Sequence, residues 1–227
     1  MEPVIHLRDA VTVLGRFPAL AGVDLDVARG EIVLVAGPNG AGKSTLLRLC
    51  AGLAPLAKGT GQVLGFDLAR QRREIRRRVG YLGHANGLYL DLSAEENVRF
   101  WARSVGAPPG DAVATLDRLE VASRWRGLAV AHLSAGQRRR TALACLVVRR
   151  PEIWFLDEPH TGLDAGSRDL LDSLVREAVA GGATALVASH ELDRSAALAT
   201  REIRIVGGVA GGVPGADERS DQPMGEC

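Results

Sequence analysis

Nine consecutive residues carry most of the chemistry: Gly37-Pro38-Asn39-Gly40-Ala41-Gly42-Lys43-Ser44-Thr45. They fit G-x-x-x-x-G-K-[ST], a pattern whose physics is phosphate binding. The glycines allow backbone conformations that a Cβ would forbid and bring N–H groups close to phosphate oxygens. Lys43 supplies a mobile point charge for β and γ phosphates, and Ser44 a hydroxyl for Mg2+. The flanks suit the task. Residues 31–36 are a short apolar run rich in β-branched side chains, which reads as a buried strand. Residues 44–50 read as a helix, whose start adds a positive dipole end. With such flanks, a glycine turn that binds nothing is the lesser reading.

Three more stretches complete the set. Ile153-Trp154-Phe155-Leu156-Asp157-Glu158 is an apolar strand ending in two acids, the Walker B pattern. Acids at the carboxyl end of such a strand face the ligand crevice of an α/β sheet. Asp157 is assigned to Mg2+ and Glu158 to activating the attacking water as general base. Leu133-Ser134-Ala135-Gly136-Gln137 precedes an apolar helix over residues 141–148, with Ser134 as its N-cap and its first N–H groups turned to an anion. Arg138-Arg139-Arg140 reads as a solvated helix face rather than a phosphate clamp, while Arg149 and Arg150 close the helix and Pro151 stops it. His190 follows a buried strand and is a candidate contact for the γ phosphate.

The elements that must position these groups are legible in outline. Strands are expected at residues 4–14, 23–27 (half-exposed and antiparallel), 62–67, 79–82, 153–156 and 183–188, and a last one at 203–206. Lys58-Gly59-Thr60-Gly61 reads as a turn, and the basic run 71–78 as a solvated helix face. From about residue 85 to 148 the pattern is helical, with a capping box at Ser93 and Glu96, and with Phe100 and Trp101 read as core. A second helix is expected at 111–119. After Pro151, strand and helix alternate, with a helix at 168–180, which implies a parallel sheet.

Bulk properties narrow the class. The chain has 227 residues, 46% hydrophobic and 24% charged, with a net charge of +1. That balance argues against a nucleic-acid partner held by bulk positive charge. Cys50, Cys145 and Cys227 are far apart and lack metal-ligand spacing. Cys50 and Cys145 are expected in the core, and the odd count suits a reducing compartment. No signal peptide and no run of about 20 apolar residues is visible. Residues 211–227 are Gly, Pro and charge, and are expected to be a disordered tail.

The order of phosphate loop, L-S-x-G-Q, D-E and S-H resembles the ATPase subunit of ABC transporters, over roughly residues 4–210. The resemblance implies an α/β P-loop NTPase fold with an antiparallel β subdomain and a helical subdomain at about 85–148, all within a domain spanning 1–210. It implies a head-to-tail dimer that sandwiches two ATP with Mg2+, and the intact consensus elements make a homodimer the expectation. Ser134, Gly136 and Gln137 of one subunit would complete the site that residues 37–45 form in the other. Asp164, in Thr161-Gly162-Leu163-Asp164, matches the D-loop at the dimer seam, and His190 matches the switch histidine. There are three departures. His84 stands where the family has Gln, and imidazole titrates near pH 6.5 where an amide does not. Ala135 replaces a glycine. The adenine-stacking aromatic falls on Leu14, with Phe17 three residues late.

Gly83-His84, the L-S-A-G-Q spelling, residues 46–52 and 96–100, and a chain ending soon after the core resemble the haem-exporter ATPases of cytochrome c maturation. That branch implies integral membrane subunits as partners, haem handled through them, and a peripheral position on the cytoplasmic face of the membrane. A drug or lipid efflux ATPase is the alternative, and a soluble ABC ATPase ranks lower.

Overall fold

A computed structural model of the chain describes residues 2–212. In chain order the first elements are β1 (Ile5–Leu14), β2 (Phe17–Val27), β3 (Ile32–Ala36), α1 (Lys43–Cys50), β4 (Lys58–Val63) and β5 (Phe66–Asp67). Then come α2 (Arg72–Arg78), β6 (Val79–Leu82), α3 (Ala94–Ser104), α4 (Asp111–Arg118), α5 (Ser123–Arg126), a 3-10 turn at Val130–His132 and α6 (Ala135–Val148). The chain continues through β7 (Ile153–Asp157), α7 (Ala165–Ala180), β8 (Thr184–Ala188), α8 (Leu192–Leu198), β9 (Arg201–Val206) and β10 (Val209–Gly212).

Two sheets result. An antiparallel sheet runs β2-β1-β4-β5, and a six-stranded sheet runs β10-β9-β3-β8-β7-β6, parallel except for the β9–β10 hairpin. The parallel strands are apolar at nearly every position because both of their faces are covered. Successive residues serve different cores, as the strand period of two requires. Val33, Val35, Ile153, Phe155, Leu186 and Ala188 join α1 and the antiparallel sheet in one cluster. Ile32, Trp154, Leu156, Ala185 and Val187 join α3, α4, α6 and α7 in the other. Cys50 and Cys145 are buried in these clusters, and burial pushes each thiol up to about 12. Cys227 lies outside the described residues.

Several expectations are corrected. Residues 58–61 are strand, not turn: Lys58 pairs with Val11 and Thr60 with Arg8, and between those pairs Gly59 alone stands opposite Asp9 and Ala10, so the bulge lies on β1. The helix expected at 168 begins at Ala165, because Asp164 caps it by accepting a hydrogen bond from the Ser167 N–H (2.8 Å). β9 is not the last strand. Gly207-Gly208 turns the chain into β10, so Gly211 and Gly212, read as tail, end a strand. The rest of the expected tail, residues 213–227, lies outside the described residues. Phe100 is not core. It is exposed and meets Tyr89 and Trp101 edge-on at ring separations of 5.1 and 5.3 Å.

Candidate functional site

Four neighbouring parallel strands deliver the expected chemistry to one edge. Along β3-β8-β7-β6, Val35 pairs with Ala188, Ala188 with Asp157, and Leu156 with Leu82. The phosphate loop follows β3, Glu158 follows β7, His190 follows β8 and His84 follows β6. All four therefore leave the sheet at its carboxyl edge, where α/β folds bind ligands.

The loop is shaped by its walls as well as by its own sequence. A Cβ on Gly37 (φ 148°) would lie 2.2 Å from the Ile205 carbonyl oxygen, and one on Gly42 (φ 108°) 2.6 Å from that of Ala19. Both glycines are thus fixed by the close approach of β9 and β2. Gly42 caps α1, whose first-turn N–H groups have no partner inside the helix. Pro38, Asn39 and Gly40 form the exposed rim, Ala41 and Thr45 are buried beneath it, and Lys43 Nζ donates to the carbonyls of Gly37 (2.7 Å) and Pro38 (3.0 Å).

Asp157 is buried and both of its oxygens are engaged. Ser44 Oγ donates to Oδ1 (2.9 Å), and the Tyr81 hydroxyl donates to Oδ2 (3.0 Å). Burial, then the charge of Asp157, drives the Tyr81 phenol far above its ordinary value, so it remains a donor. Tyr81 was not singled out in the sequence, where nothing places β6 beside β7. Glu158 sits at φ 50°, a left-handed conformation that costs a non-glycine residue about 1 kcal/mol or more. Its backbone N–H donates to the Ala188 carbonyl (2.8 Å). Its Oε2 accepts from the His190 backbone N–H (3.3 Å) and shares a 2.6 Å hydrogen bond with His190 Nδ1. His84 is exposed and makes no side-chain hydrogen bond among the described residues.

The L-S-A-G-Q residues are not brought to this loop. Ser134 caps α6 in a reciprocal box, accepting from the Gln137 N–H (3.3 Å) while its own N–H donates to Gln137 Oε1 (2.8 Å). Gly136 faces the Gly162 carbonyl, where a Cβ would sit at an ordinary 3.6 Å. Asp164 accepts from Arg140 (3.0 Å). The Ser167 N–H first, and then Arg140, hold that carboxyl below the usual carboxylate range. The start of α6 therefore packs on the segment carrying Asp164, with no hydrogen bond to residues 37–45 among the described residues.

The arginine run is not a solvated face. Arg138 donates to the Val130 and Ala131 carbonyls, Arg140 binds Glu120 and Asp164, and Arg139 is only 5% exposed. A second buried group was also missed. His160 Nε2 bonds Asp172 Oδ1 (2.8 Å), and Arg194 of α8 reaches Asp172 Oδ2 (2.7 Å), which ties the loop after β7 to α7 and α8. Leu14 and Phe17 face each other across the β1–β2 hairpin, and Phe17 is 78% exposed.

Beside β6, a groove of about 370 Å³ opens among Leu53, Arg76, Asn86, Trp101 and Arg149, with Tyr81 in its lining. The Arg149 guanidinium lies 4.6 Å from the centre of the Trp101 ring. No helix among the described residues is long and apolar enough to cross a membrane.

Residues 20–161 match the sequence profile of the family described as ABC transporter, a span running from β2 through the phosphate loop and the L-S-A-G-Q segment to Glu158. The chain belongs to the ABC transporter family. It is an ATP-binding subunit of that family, and its fold is that of the family's solved cassettes. The ATP-binding subunit of an ABC transporter superposes with a TM-score of 0.84 at 26% identity, covering 92% of this chain and 90% of that one. A dimeric ATP-binding cassette bound to ADP and Pi, in a post-hydrolysis state, gives 0.83 at 25% identity, covering 93% and 99%. By sequence, the cytochrome c biogenesis ATP-binding export protein CcmA of Bradyrhizobium diazoefficiens is 39% identical over 89% of this chain and 98% of its own length. The protein of the same name from Rhodopseudomonas palustris is 40% identical, over 86% and 94%.

Proposed function

We propose that this ABC subunit hydrolyses ATP to drive an exporter that serves cytochrome c biogenesis, with haem handled by integral membrane partners. The observation that carries the hydrolytic reading is the convergence of Lys43, Ser44–Asp157 and Glu158–His190 on one sheet edge. The CcmA relatives carry the cargo reading.

The roles follow from the geometry. The α1 start and Lys43 hold the phosphates. Ser44 and Asp157 are hard oxygen donors that are already adjacent, which suits Mg2+. That ion uses one or two carboxylates plus substrate phosphates rather than a protein cage. Bound there, Mg2+ would neutralise charge on the β and γ oxygens. Glu158 accepts the proton of the attacking water. His190 orients that carboxylate through Nδ1 and keeps Nε2 for the γ phosphate. Phe17 or Leu14 supports the adenine.

Ser134, Gly136 and Gln137 lie away from the phosphate loop, at a helix start whose N–H groups suit an anion. Together with the dimeric cassettes among the structural relatives, this supports a head-to-tail homodimer in which they complete the partner's site, with Asp164 at the seam. The groove beside Trp101 and the exposed Phe100 and Tyr89 suit an apolar segment of a membrane subunit, which would hold this chain at the cytoplasmic face of the membrane.

The test is a chromosomal Glu158→Gln replacement in the native host, with covalently bound haem in c-type cytochromes as the readout. Loss of holo-cytochrome c with other haem proteins intact is expected. Normal cytochrome c would leave a drug or lipid efflux ATPase as the better account.

A further inference from the structure

We propose that Arg139 is a positioning residue for hydrolysis, locking the backbone of Glu158 and the start of the His84 loop into one register. The guanidinium uses all three nitrogens. NH1 donates to the Gly83 carbonyl (2.7 Å) and to Asn86 Oδ1 (3.2 Å), NH2 to the Glu158 carbonyl (2.9 Å) and Nε to the Pro159 carbonyl (3.3 Å). Two of these acceptors follow β6 and two follow β7, so one side chain staples the two loops that leave those strands.

Its acceptors are neutral, and among the described residues it forms no ion pair. Burying a cation this deeply without a paired anion is costly, and burial lowers its pKa to about 10. A neutral side chain could fill the same space at less cost. What the planar fork adds is simultaneous, directional hold on several carbonyls, which the single nitrogen of lysine cannot reproduce. That hold falls on a strained residue, Glu158 at φ 50°, and adds to the hydrogen bonds that its backbone makes with Ala188 and Thr161. Asn86 also lines the groove beside Trp101. A displacement of the His84 loop there would reach the Glu158 carbonyl through this one guanidinium. Arg139 itself sits on the helix that Ser134 caps.

The inference rests on the reading of Glu158 as the base, and the experiment separates the two. Full-length Arg139→Lys, Arg139→Gln, Asn86→Ala and Glu158→Gln proteins are assayed for kcat and KM, for dissociation of a fluorescent ATP analogue, and for thermal midpoint. In Arg139→Lys, kcat should fall about 10- to 100-fold, as for a misplaced catalytic group, with nucleotide dissociation changed by about two-fold at most. Asn86→Ala should cost about five-fold alone and nothing further in the Arg139→Lys background. Unchanged kcat per folded molecule with only a lowered thermal midpoint would overturn the inference. So would nucleotide affinity lost in step with kcat, or additivity of the two substitutions. Should neither Arg139 variant fold, an unchanged kcat in Asn86→Ala is the overturning result. Undiminished turnover in Glu158→Gln removes the reading of Glu158 instead.

Discussion

His190 Nδ1 lies 2.6 Å from Glu158 Oε2, and the His190 backbone N–H converges on the same oxygen. One oxygen of the carboxylate is thereby fixed, while Oε1 makes no hydrogen bond among the described residues. His190→Ala should lower kcat by about 10²-fold, the usual worth of positioning a base, and shift KM for ATP much less. Steady-state kinetics on the purified protein check this. A matched rise in KM would mean that His190 serves binding instead.

Tyr81 and Ser44 hold the two oxygens of Asp157 from opposite sides. Tyr81→Phe removes one donor without changing shape. Loss of such a supporting contact typically weakens metal binding about 10-fold or more. The Mg2+ concentration for half-maximal ATPase activity should rise by that order. An unaltered Mg2+ titration would dismiss Tyr81 from the site.

Asp172 is buried, and burial alone would raise its pKa. The hydrogen bonds and charges of His160 and Arg194 outweigh that and bring it below the ordinary value. A carboxyl depressed in the folded state stabilises fully above its unfolded pKa of about 3.9, and that contribution is lost as pH falls through the folded value. Asp172→Asn should destabilise the protein by about 3 kcal/mol at pH 7, as when one partner of a buried pair is removed. The gap to wild type should narrow below about pH 4. Urea unfolding at the two pH values reads it. A constant gap would place the cost in packing.

The sheet edge proposed to be catalytic is legible in the sequence because each motif is local: a strand, then a turn, then a charged or hydroxyl group. The sequence did not show what crosses between elements. Arg139 looked solvated because its neighbours in sequence are charged, whereas its partners, Gly83 and Glu158, come from loops far away in the chain. Tyr81 and His160 were silent for the same reason. The strand at Lys58 was hidden because glycines read as a turn until β1 is placed beside them. Helical spacing places Phe100 on the same side as core residues, yet it is exposed, because spacing marks a face without saying what covers it.

The flanks of β3 carry a consequence for synthesis. Its two hydrogen-bonded neighbours are β8 and β9, and the loop's backbone walls include Ile205, while Gly208 N–H donates to the Ala41 carbonyl (3.1 Å). A ribosome that has just translated Lys43 has made none of these. The nascent chain must carry an unpaired apolar strand through more than half its length before the nucleotide site can close. Such non-local pairing is slow to form and exposed to aggregation meanwhile. A stall or truncation anywhere before β9 therefore yields a polypeptide with every motif upstream of the break spelled correctly and no formed phosphate loop.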